Sequence, residues 1–71
     1  MSEFKITIAA ARVNAKKKQE DVAKALHVSK QTIGSWENGK TSPSMEQAIE
    51  FCKFCNVPLD MVSFLRESNA I

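Results

Sequence analysis

The stretch from Gln19 to Asn38 constrains this chain more than any other part of it. It holds two helical apolar stripes with only three residues between them. In the first, Val22, Ala23 and Leu26 fall at i, i+1 and i+4, which is one face of a helix over Gln19–Leu26. In the second, Ile33 and Trp36 stand three apart on a helix predicted over Lys30–Glu37. With His27-Val28-Ser29 as the whole connection, the two helices must cross at close range. Close crossing needs a small residue, and Ala23 supplies it. Val22, Leu26, Val28, Ile33 and Trp36 are the apolar anchors of the pair. Ser29 is placed to cap the second helix, its hydroxyl accepting a backbone N–H one turn in. Lys30, Gln31, Gly34, Ser35 and Asn38 are small or polar and are left to face outward.

The flanks extend this to an all-α fold, a compact bundle of five short helices in one domain over residues 1–71, with its core at about 6–66. The first helix is predicted over Thr7–Lys16, with Ile8, Ala11 and Ala15 on one stripe; Lys16-Lys17-Lys18 ends it as a solvated run. Asn38-Gly39 ends the third helix, Gly39 taking positive φ cheaply. Ser44-Met45-Glu46-Gln47 is a capping-box pattern opening a fourth helix to Cys55, with Asn56 as its left-handed terminator. Pro58 suits the start of a fifth helix running to Arg66. No segment alternates apolar and polar residues between turn signals, so no strand is predicted.

Charge is divided along the chain. Residues 1–40 carry eight basic and four acidic residues (8 − 4 = +4), and residues 41–71 carry two and four (2 − 4 = −2). A basic half beside an acidic half points to one anionic partner met by one face, although a solvated charged surface would look similar. There is no secretory leader pattern and no apolar run of membrane length, and a reducing cytosol suits the two cysteines. Cys52 and Cys55 have C-x-x-C spacing, but a redox motif would want a βαβ setting and a zinc site a second ligand pair. Neither is present, so both read as core residues. No metal or other cofactor is expected. His27, the single histidine, has no plausible nucleophile beside it, and an enzyme has no support here.

The stretch Gln19–Asn38 resembles the helix-turn-helix DNA-binding family of lambda-type phage repressors, Cro proteins and XRE-type regulators. The resemblance extends to Arg12, to Trp36-Glu37-Asn38-Gly39-Lys40, to Pro43-Ser44 and, loosely, to Asn56-Val57-Pro58-Leu59-Asp60, covering roughly residues 6–65. It implies a sequence-specific transcription regulator of double-stranded DNA, a repressor or Cro-like protein, with the third helix in the major groove. It places Gln31 and Ser35 at base edges with Lys30 and Thr32 beside them, Lys30 being open to a base or a phosphate. It places Gln19, Lys18, Asn38, Lys40 and Thr41 at phosphates, and makes Arg12 and Glu37 a structural pair. Two positions depart from the family pattern. His27 stands where Gly is usual, in a turn needing positive φ, and Gly34 lies inside the recognition helix at a cost of roughly 1 kcal/mol against Ala. Gly34 either permits close approach to DNA or is simply unselected. In size the chain is nearer a Cro protein than a full repressor, or it is an excised repressor domain. The alternative from another class is a protein-interaction module or antitoxin-like partner on the same fold.

The last expectation concerns assembly. If Met45, Ala48, Ile49, Cys52 and Cys55 form the core stripe of the fourth helix, and Leu59 and Val62 that of the fifth, then Phe51 and Phe54 lie partly off it, and Phe54, Met61, Phe64 and Leu65 are surplus apolar surface. Such a surplus marks a homodimer interface, which would set two recognition helices roughly 34–36 Å apart on a near-palindromic operator. Phe4 folding over Phe64 or Leu65 would hide it instead.

Overall fold

The computed structural model describes residues 5–64. In chain order these form β1 (Ile6–Thr7), α1 (Ile8–Asn14), α2 (Gln19–Leu26), α3 (Lys30–Glu37), α4 (Met45–Cys55), a 3₁₀ turn (Leu59–Met61) and β2 (Val62–Ser63). Each helix starts where its cap dictates. The Thr7 hydroxyl accepts from Ala10 N–H at 3.0 Å. The Asp21 carboxylate accepts from Lys18 N–H at 2.7 Å, and the Ser29 hydroxyl from Thr32 N–H at 3.1 Å. Ser44 and Gln47 cap α4 reciprocally, at 3.1 and 2.8 Å. The ends are equally local. His27 (φ 59°) and Asn56 (φ 56°) take left-handed backbone to close α2 and α4, and Gly39 (φ 78°) turns the chain after α3.

The first helix is shorter than its apolar spacing suggests. It closes at Ala15, and Lys16 turns left-handed at φ 61°. The Lys17 carbonyl is then held by Arg12 Nη1 at 3.0 Å, which fixes the lysine run against the fold.

Four helices replace the expected five, and the difference lies at the C-terminal end. Asn56 terminates α4, Pro58 fixes an extended entry, and a single 3₁₀ turn follows. Val62 is then extended (φ −109°, ψ 132°), and β2 pairs parallel with β1 in the register Ile6↔Val62, Thr7↔Ser63. The prediction of a helix to Arg66 and of no strand is therefore corrected. The Val62 N–H stays with the Leu59 carbonyl, and pairing with Ile6 seats the β-branched Val62 side chain in the core. Leu65 and Arg66 lie outside the described residues, as does Phe4.

The core consists of Ile8, Ala11, Val22, Ala23, Ile33, Trp36, Phe51, Cys52, Cys55 and Val62. Phe51, Ile33 and Val22 are its largest fully buried side chains. The core stripe of α4 is thus rotated from the expected one. Phe51 points inward, whereas Met45 is 69% exposed and Ile49 and Leu59 are also exposed. Burying an aromatic ring removes more apolar surface from water than burying a methionine at the helix tip, so Phe51 sets the rotation.

Candidate nucleic-acid interface

Helices α2 and α3 meet through Val22 and Ala23 on one side and Ile33 and Trp36 on the other, all buried. Burial of that stripe forces the rest of α3 outward. Lys30 and Gln31 are exposed, Gly34 and Ser35 half-buried, and Asn38, just past the helix end, is exposed. At helical spacing, Gln31, Gly34, Ser35 and Asn38 share one face. Thr32 is half-buried at the edge of that face, and its hydroxyl lies 3.0 Å from that of Ser29. It therefore serves the start of α3 before it can serve a ligand. Apart from its chain neighbours and its own helix backbone, nothing among the described residues comes within 4 Å of where a Cβ on Gly34 would stand, so the fold gives no steric reason for glycine there.

A second group gathers where the end of α3 meets the start of α2. Arg12 Nε donates to Glu37 Oε2 at 2.6 Å and Nη2 to Oε1 at 3.3 Å. Gln19 Nε2 also donates to Glu37 Oε1, at 2.9 Å. One carboxylate thus ties α1, α2 and α3 together. The bond from Gln19 has no counterpart in the sequence analysis, because partners 18 positions apart on different helices leave no spacing signal. Around this group lie the other residues expected to meet phosphates. Lys18, Asn38, Lys40 and Thr41 are all exposed, and the backbone N–H groups of Lys40 and Thr41 donate to the Ser35 carbonyl at 2.9 and 3.4 Å.

The C-terminal aromatics are less free than expected. Phe64 stacks edge-on against Phe51, with ring centroids 6.0 Å apart, and Lys17 Nζ sits 4.7 Å above the Phe54 ring. Met61 remains 40% exposed. Burial pushes the Cys52 and Cys55 thiols above their ordinary pKa, Cys55 further affected by Cys52 beside it. Both are packed as apolar side chains. Among the described residues no group of three or more His, Cys, Asp or Glu is arranged to hold a metal, and no helix is long and apolar enough to cross a membrane.

With the geometry in place, comparison with known proteins is decisive on one point: the family model described as helix-turn-helix matches residues 8–62. The chain belongs to the XRE-type helix-turn-helix family. Two curated helix-turn-helix relatives illustrate the range. The chain is 48% identical over 42 residues to an uncharacterized HTH-type transcriptional regulator of Methanocaldococcus jannaschii, covering 59% of this chain and 64% of that one. It is 36% identical over 58 residues to the HTH-type transcriptional activator BcrR of Enterococcus faecalis, covering 82% and 28%. The chain thus spans less than two thirds of the length of either relative. The helix-turn-helix match begins at Ile8 and ends at Val62, the two core residues that open α1 and start β2.

Proposed function

We propose that this chain binds double-stranded DNA sequence-specifically and regulates transcription, with α3 lying in the major groove. The observation that carries the reading is the division of α3. Ile33 and Trp36 fix it to the scaffold, while Lys30, Gln31 and Ser35 have no part in the core of a helix-turn-helix domain. Gln31 offers a donor and an acceptor together, as adenine N6 and N7 require. Lys30, Ser35 and Thr32 flank it, and Gln19, Lys18, Asn38, Lys40 and Thr41 take phosphates. Repression by occupying a promoter, in the manner of a Cro protein, is the output we propose. Selection from random DNA tests the reading: a recovered consensus, with affinity falling steeply as salt rises, supports it. No enriched sequence and no salt slope would reject it in favour of a protein-interaction module.

We further propose that the chain pairs on a near-palindromic site. Three exposed apolar side chains in the C-terminal half, Ile49, Leu59 and Met61, support this reading. Phe54 and Phe64 have partners in their own chain and contribute less. Met61→Glu should leave helical content unchanged and lower affinity for a two-half-site DNA while sparing a single half-site. Equal affinity of both proteins for the two-half-site DNA would remove the dimer.

A further inference from the structure

Glu37 has one partner more than an ion pair needs. Its carboxylate receives two N–H groups from Arg12 and a third from Gln19 Nε2. The pair is shielded, with Arg12 and Glu37 side chains only 16% and 9% exposed. A carboxylate can only accept, so the Gln19 atom facing it is the nitrogen, and the flip of the amide is fixed. One N–H of Nε2 is used on Glu37. The other N–H belongs to an amide whose plane is now held, at the first residue of α2, next to exposed Lys18. An unneutralised carboxylate here would repel an approaching phosphate. Arg12 cancels its charge through two contacts and is itself held by the Lys17 carbonyl at 3.0 Å.

We propose that Glu37 is a positioning residue for phosphate binding: it holds the Gln19 carboxamide so that the second N–H of Nε2 donates to a DNA phosphate oxygen, while Arg12 removes the electrostatic penalty of a carboxylate nearby. The inference rests on the DNA-binding reading above and adds a residue that acts without touching DNA. A free glutamine must surrender rotamer freedom when it binds; this one has done so on folding.

A double-mutant cycle on the full chain tests it, using the sequence recovered by selection and mixed genomic DNA as probes. Gln19→Ala should weaken binding to both by roughly tenfold, the size of one hydrogen bond to a charged group. Glu37→Gln sets an amide nitrogen against a donor of Arg12 or of Gln19 and removes the charge that holds both, and should weaken binding to both probes by roughly three- to tenfold. In the Gln19→Ala background the same change should cost less than about twofold. Equal losses in the two backgrounds would make Glu37 merely structural and overturn the proposal, as would a neutral Gln19→Ala. If Glu37→Gln is unfolded at the assay temperature, Arg12→Met with Glu37→Met replaces it, since an apolar pair of similar volume commonly keeps stability and leaves net charge unchanged. It should fold and lose the Gln19-dependent part of the affinity; full wild-type affinity would overturn the proposal. A wild-type chain that binds neither probe fails the DNA-binding reading itself, a result distinct from all of these.

Discussion

Residues 19–37 and residues 58–64 pack on the same core but are held there by different kinds of contact. In α2 and α3 the starts and stops are set within three or four residues: Asp21 on Lys18, left-handed His27, Ser29 on Thr32. In the C-terminal segment the conformation is set by partners far away in sequence, Ile6 for Val62 and Phe51 for Phe64. The first region presents the face proposed to read the groove, which needs a rigid frame; the second closes the bundle. The lesson is that local capping sets where the helices of the first unit begin and end, whereas a closing segment takes the form its distant partner offers.

Substitutions can break or sharpen this contrast. The largest expected effect belongs to Phe51→Ala, which undercuts both regions at once. It should cost about 3–5 kcal/mol, read by thermal or denaturant unfolding, close to the whole margin of a domain this small. Gln31→Ala should leave the unfolding midpoint unmoved and cost roughly 1–3 kcal/mol of discrimination at one base position per half-site. Operator substitution would check this, and undiminished preference at every position would remove Gln31 from the reading face. Ser29→Ala should cost about 0.5–2 kcal/mol and, in hydrogen exchange, loosen the first turn of α3 before anything in β2. Phe64→Leu keeps an apolar side chain but loses the edge-on ring contact. It should cost about 0.5–1.5 kcal/mol, with faster exchange at Val62 and Ser63 and unchanged protection in α2 and α3. If Ser29→Ala and Phe64→Leu loosen the two regions equally, the division drawn here does not hold.

Legibility in the sequence followed the same line. The bounds of α2, α3 and α4, the turn at His27 and the terminators Asn56 and Gly39 are all local signals, and they stand where the sequence puts them. The rotation of α4 was not legible, because Met45-Ile49 and Phe51 make competing stripes on one short helix and only the opposing surface chooses between them. The β1–β2 pair was invisible for a stronger reason: two residues are too few to show alternation. At the candidate interface the outward face of α3 was readable by elimination, once Ile33 and Trp36 were assigned inward. The Gln19–Glu37 bond was not, since it depends on how three helices meet.

The parallel pairing of Ile6 with Val62 also has a kinetic meaning. Parallel neighbours cannot be joined by a tight hairpin, and the connection here encloses all four helices. Joining the two strands therefore closes a loop nearly as long as the described chain, whose entropic cost is offset only once the helices are already packed. The closure is therefore expected late on the folding route, after its transition state. Weakening it should hasten unfolding while leaving the refolding rate nearly unchanged, so this small ladder acts as a latch on the lifetime of the folded domain more than as a guide to its formation.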